Sequence, residues 1–96
     1  METISILDTH DGVCYACQRH IPTELHHIIY GTGLRPIADK YGLTCYLCPE
    51  CHRGTKGVHG RDGNALNRAL KCDVQRKYES IHGHDAWMQL VGRDFL

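Results

Sequence analysis

The chain has 96 residues, enough for one domain whose thin core hides only about 60–65% of the surface exposed on unfolding. Hydrophobic residues make up 42% and aromatics 7%, which describes a globular chain that needs a metal or disulfides as a staple. Eleven basic and eleven acidic residues cancel, which taken whole argues against a strong nucleic-acid binder, a class that usually shows a basic excess.

The opening stretch, Met1 to Asp8, lacks the basic and apolar regions of a secretory leader. No apolar run approaches the roughly 20 residues of a membrane helix. The expected setting is the reducing cytoplasm, where thiols stay free.

Residues 1–12 read as a lead-in to a single domain spanning 13–96. Val13 to His20 holds Cys14 and Cys17 on a tight knuckle, with Gln18-Arg19 leading out. Thr23 to Tyr30 is rich in β-branched and aromatic residues and predicts a strand, broken by Gly31-Thr32-Gly33. Pro36 to Gly42 predicts a short helix, with proline in its first turn and glycine past its end. Leu43 to Leu47 predicts a second strand running into a second knuckle at Cys48.

Gly54, Gly57, Gly60 and Gly63 mark a loop. After Asn64 as N-cap, Leu66, Leu70, Val74, Tyr78 and Ile81 recur at helical spacing, with Gly83 beyond the end. A last helix is expected from Asp85, as cap, to Val91, stopped by Gly92. Trp87, Met88, Leu90 and Val91 form its apolar side. The element pattern is α+β.

Cys14-Tyr15-Ala16-Cys17 and Cys48-Pro49-Glu50-Cys51 share a two-residue spacer. That spacing lets both sulfurs of a pair reach one tetrahedral ion at about 2.3 Å. Four thiolates in a reducing compartment read as a structural Zn²⁺ site rather than disulfides. The alternatives are two unrelated reduced pairs, or a mixed site in which His52 replaces one sulfur. Cys45 and Cys72 lack partner spacing and read as ordinary buried cysteines.

Tandem His26 and His27 on a strand point to opposite faces. His52 follows the last zinc cysteine directly, and His59 lies in the glycine loop. If the cysteine clamp brings residue 26 near residue 52, His26, His52 and His59 make an open three-ligand site. His27 is then left as a general base, since an imidazole titrates near neutral pH. The competing role is a satisfied core histidine for His26, a place in the structural zinc site for His52 and a solvated loop side chain for His59. His10, His20, His82 and His84 have no such constellation and read as surface residues.

Charge is unevenly spread. From Arg53 to Lys77 seven basic residues face two acids, whereas residues 1–25 hold four acids against Arg19 alone. The chain can therefore present a basic face despite its zero net charge. Arg35, Lys40, Arg53 and Lys56 are candidate phosphate contacts, with a solvated role as the alternative.

Glu24-Leu25-His26-His27-Ile28, followed by Leu47-Cys48-Pro49-Glu50-Cys51-His52, resembles the HNH nuclease family in its zinc-stapled form. With Gly31, Arg35, Tyr41-Gly42-Leu43, His52-Arg53-Gly54, Gly57-Val58-His59 and Gly92-Arg93-Asp94-Phe95-Leu96, the likeness is to small HNH-like proteins of bacteriophages and prophages. It covers about residues 13–96. It implies a ββα-metal core with a four-cysteine zinc site made by two knuckles, followed by C-terminal helices. It also implies His26, His52 and His59 as ligands of a second divalent ion (Mg²⁺, Mn²⁺, Ni²⁺ or Zn²⁺), and His27 as the water-activating base. The family's middle asparagine, which orients that base, has no counterpart between His27 and His52. A backbone carbonyl or Thr44 is left to hold the imidazole.

Two functions compete. The first is a metal-dependent endonuclease hydrolysing DNA phosphodiesters, gripping mainly the backbone. The second is a non-catalytic zinc module of the same fold that binds nucleic acid or a phage or host protein, as a recombination accessory or counter-defence factor. The expected partner is DNA, in the cytoplasm of a bacterial host if the protein is phage-encoded, with no membrane association. A homodimer would supply the two active sites that paired nicks require.

Overall fold

Glu-Leu-His-His and Thr-Cys-Tyr-Leu pair as two short strands, β1 (Glu24–His27) and β2 (Thr44–Leu47). The computed structural model in which they are seen describes residues 5–31 and 33–96. Residues 1–4 of the expected lead-in and Thr32 of the expected break lie outside these. The pairing is antiparallel, with Glu24 opposite Leu47, Leu25 opposite Tyr46, His26 opposite Cys45 and His27 opposite Thr44. Glu24 and His26 therefore share one face of the sheet, and His27 belongs to the other.

Helix α1 (Arg35–Tyr41) connects the strands. Pro36 pre-sets its first turn, and Gly42 ends it in the left-handed region at φ 72°, a conformation that costs a glycine little. A single-turn helix, α2 (Pro49–Arg53), follows β2 directly, its first residue again a proline. The architecture is thus a small α+β fold with a two-stranded sheet. Among the described residues, no helix is long and apolar enough to cross a membrane.

The expected lead-in is more engaged than a loose arm. Ile6 N–H donates to Gly42 O at 3.0 Å, Ser5 Oγ bonds Thr44 O, and Tyr46 N–H donates to Thr9 Oγ1 at 3.3 Å. The reason is an unpaired side: among the described residues β2 pairs with β1 alone, and Ser5 and Thr9, with Tyr15 N–H on Tyr46 O at 2.8 Å, take up backbone groups it leaves free.

Helix α3 (Asn64–His82) buries Leu70, Val74 and Tyr78 at i, i+4 spacing. Its start differs from the expected cap: Asn64 is already helical, and Gly63 stands before it with no side-chain cap. Ile81 is 57% exposed, because the chain turns at Gly83 before anything covers it. Helix α4 (His84–Leu90) starts one residue earlier than expected, with Asp85 in its first turn rather than capping it. Trp87 is fully buried against Tyr78, their ring centroids 5.7 Å apart.

Gln75 is the polar exception inside this packing. Fully buried, it donates through Nε2 to Asp94 Oδ1 at 2.9 Å and Glu79 Oε2 at 2.7 Å, and accepts from Phe95 N–H at 2.7 Å. Trp87 Nε1 donates to Arg93 O at 2.7 Å and the Cys72 thiol to Phe95 O at 3.1 Å. Residues 93–95 are thus laced onto α3 and α4. Replacing Gln75 by Ala strands the Phe95 N–H and removes a buried side chain. It is expected to lower stability by about 2–4 kcal/mol. Urea unfolding of the metal-loaded protein checks this, alongside loss of amide-exchange protection at Phe95.

Candidate metal centre

The two cysteine pairs fold into turns of the same design. Cys17 N–H points at Cys14 Sγ and Cys51 N–H at Cys48 Sγ, each at 3.5 Å. In the second turn this contact also caps α2, with Cys48 as the N-cap residue. None of the six cysteines is in a disulfide. The sulfurs of Cys14, Cys17, Cys48 and Cys51 lie within 4.8 Å of one another, and Cys17 Sγ is 3.8 Å from Cys48 Sγ. A tetrahedral ion bound at about 2.3 Å sets its sulfurs about 3.8 Å apart, whereas a disulfide needs about 2.05 Å.

The thiol chemistry agrees with a cation among them. Hydrogen bonds from Arg19 bring Cys17 down to about 6. Burial and the neighbouring sulfurs push Cys51 well up. Four close sulfurs outside any disulfide could hold a metal such as zinc. Arg19 braces the rim: its Nε donates to Cys17 Sγ at 3.3 Å, and its Nη2 lies 3.8 Å from Cys48 Sγ and 2.9 Å from Glu50 Oε2. Cys45 is fully buried, which pushes its thiol up to about 12, and Cys72 is half-buried; neither joins the cluster.

A second cluster gathers His26, His52 and His59, their ligand nitrogens within 4.8 Å of one another. His52 is therefore not part of the cysteine group. Ring centroids are 5.3 Å apart for His26 and His52, 5.2 Å for His26 and His59, and 4.8 Å for His52 and His59. His26 comes from β1, His52 from α2 and His59 from the glycine loop.

That loop is a close-wound coil. Its third-residue glycines bond in series, Gly57 N–H to Gly54 O at 2.9 Å and Gly60 N–H to Gly57 O at 2.8 Å. A second set spans seven residues: Val58 N–H to Cys51 O at 2.9 Å and His59 N–H to His52 O at 3.0 Å. His59 is thereby stacked on His52 by the backbone. A Cβ at Gly60 would stand 1.9 Å from Gly54 O, and one at Gly63 1.8 Å from Gly57 O, so the coil closes only on bare backbone.

The donor set fits a cation. His26 is 2% exposed, and its Nε2 is buried with no hydrogen-bond partner among the described residues, a position costing about 1–3 kcal/mol if nothing fills it. Burial, followed by its two histidine neighbours, brings the His26 imidazole down to about 3, so it is neutral near pH 7 as a ligand must be. Burial and His52 also lower His59. His52 Nδ1 donates to Glu24 Oε1 at 2.8 Å, which fixes the ring and leaves Nε2 toward the cluster. Glu24 was absent from the residues expected to matter. Its signal in the sequence is the two-residue step from His26, which places both on one face of a strand.

His27 lines the same cavity, of about 290 Å³, with Leu25, His26, Tyr30, Arg35, His52 and His59. Its Nε2 is 2.5 Å from Asp39 Oδ1 on α1. This corrects the expectation that Thr44 or a backbone carbonyl holds the imidazole. Thr44 pairs with His27 across the sheet, but its carbonyl is taken by Ser5 Oγ. A proline-started helix carries Asp39 back over the strand end, which no local pattern revealed. Of the expected phosphate contacts, Arg35 lines the cavity. Arg53 is held by both oxygens of Glu24, at 3.0 and 2.8 Å. Lys40 lies 5.5 Å from the Tyr41 ring centroid, and Lys56 is exposed on the loop.

No family model matches the chain, and neither a curated protein nor a solved structure matches it. The site is therefore argued from its own geometry. Glu24→Gln is expected to weaken a divalent ion at the three histidines about 10- to 100-fold, because the carboxylate no longer orients His52. Calorimetric titration of Ni²⁺ into zinc-loaded protein measures this, with the cysteine-bound metal unchanged. Cys48→Ala should instead abolish cooperative folding and zinc content together, as read by circular dichroism and metal analysis.

Proposed function

We propose that the protein is a metal-dependent endonuclease of HNH type, hydrolysing nucleic-acid phosphodiesters at the histidine cluster. One observation carries the reading: a three-histidine ligand set and a separate, carboxylate-held histidine open into one cavity with an arginine on its wall. Structural sites are closed by four protein ligands, whereas three ligands leave a position for water or substrate. The order β1, β2, α2, with His26 on the first strand and His52 on the helix after the second, supports a ββα-metal core.

An ion held by His26, His52 and His59 would supply Lewis-acid stabilisation of the charge that develops on the phosphate. The chain's own groups account for the rest. Asp39 fixes the His27 ring through Nε2, which leaves Nδ1 to take a proton from the attacking water. The same carboxylate stabilises the imidazolium that results. Arg35, exposed at the cavity wall, is placed to receive a phosphate oxygen. His26, neutral and shielded from solvent, offers Nε2 without first losing a proton.

The Asp39 contact bears directly on the competing view of a non-catalytic zinc module. That view drew on the missing asparagine, and Asp39 answers the need to orient His27. Nicking of a supercoiled plasmid and of a single-stranded circle, over Mg²⁺, Mn²⁺, Ni²⁺ and Zn²⁺, tests the reading. Cleavage is expected with at least one ion. His27→Ala should lower it about 10²- to 10⁴-fold with fold and zinc content intact. Asp39→Asn should cost about 10- to 100-fold. No cleavage of either substrate with any ion, in zinc-loaded protein, overturns the nuclease and leaves the binding module.

A further inference from the structure

A second cavity, of about 400 Å³, adjoins the first, and Tyr30 lines both. Its walls include Leu34, Lys71, Val91, Arg93 and Phe95. We propose that it binds an unpaired nucleotide of the strand whose phosphate enters the histidine site, an inference that rests on the nuclease reading.

The chemistry of the walls selects that occupant. Lys71 Nζ lies 4.9 Å from the Tyr30 ring centroid and 5.3 Å from that of Phe95. Among the described residues, neither Lys71 nor Arg93 pairs with a carboxylate. The cavity thus offers two uncompensated cations beside two aromatic rings, with Leu34 and Val91 as apolar wall. A nucleotide matches both halves, its phosphate meeting the cations and its base the rings. A neutral apolar peptide would bury the two charges without a partner. The volume lies within the range of small-molecule sites, about 300–1,000 Å³.

The walls are also fixed in advance. Tyr30 is 42% exposed, yet its hydroxyl accepts from Asn67 Nδ2 at 3.0 Å. Phe95 is held by Gln75 and Cys72 on α3. A base inside a duplex has both faces stacked and its pairing edge occupied, so it cannot enter between these groups. Only an unpaired nucleotide can do so, and Tyr30 links its place to the cavity where the phosphate would react. The substrate on this view is single-stranded, or locally unpaired, at the position next to the cleaved bond.

Fluorescence anisotropy on zinc-loaded His27→Ala protein, which should bind without cleaving, tests the proposal. The probes are a short mixed-sequence single strand, as DNA and as RNA, and the matching DNA duplex. A single strand of one sugar or the other should bind at least about fivefold tighter than the duplex, and the better sugar identifies the backbone. Adding Tyr30→Ala should weaken single-strand binding about 5- to 100-fold, Lys71→Gln should also weaken it, and Tyr30→Phe should retain it. Unchanged single-strand affinity in Tyr30→Ala, or a duplex bound as tightly as either single strand, overturns the subsite even if the His27 protein still nicks plasmid. No binding of any probe, together with no cleavage by the His27 protein, overturns the nuclease reading as well.

Discussion

Four sulfurs from two turns, 31 residues apart at Cys17 and Cys48, gather within 4.8 Å of one another, and Cys17 Sγ and Cys48 Sγ stand 3.8 Å apart, the edge of a zinc–thiolate tetrahedron. Closing so long a loop costs chain entropy that a core of this size offsets poorly. A structural zinc contributes about 10–16 kcal/mol in isolated finger peptides, comparable with the whole stability of an ordinary domain. A metal bound there would hold everything between the two turns from its ends, including both strands and α1. His52 stands one residue beyond Cys51, and the carbonyls of Cys51 and His52 seat Val58 and His59. The histidine cluster is in this sense built outward from the sulfurs.

The tandem histidines show how one strand serves two purposes. His26 turns inward, loses its solvent and is kept neutral, which suits a ligand. His27 turns the other way and meets the Asp39 carboxylate. Glu24 repeats the device for His52, and its second oxygen holds Arg53. The His27 and His52 rings are each oriented by a carboxylate from a different element. The site is accordingly sensitive to the relative placement of β1, α1 and α2 rather than to any single turn.

Beyond the cluster, the fold uses α3 and α4 to finish a surface. Tyr15 Oη donates to Asp73 Oδ2 at 3.1 Å and ties the first knuckle to α3. Asn67 reaches Tyr30 from the same helix. Gln75 then fixes residues 94 and 95, of which Phe95 walls the second cavity. A buried amide with all its bonds satisfied is costly to build and specific once built. Here it converts the end of the described chain from a frayed segment into a wall.

Cysteine spacing, the tandem histidines, the proline and glycine bounds of α1 and the leucine periodicity of α3 were legible in the residues, because metal-ligand geometry and helix termini are local constraints. The same holds for His52 and His59 as candidates, since one adjoins a ligand cysteine and the other sits in a glycine series. Asp39, Gln75 and the exposure of Ile81 were not legible. Each depends on which surfaces meet after α1 crosses the strand end and α3 turns at Gly83, and side chains distant in sequence carry no periodic trace of that meeting. The sequence by itself determined which residues can bind metal. The tertiary structure decided which histidine is buried without a partner, which is held by a carboxylate, and which arginine faces the cavity, because desolvation and hydrogen bonding are properties of surroundings and not of spacing.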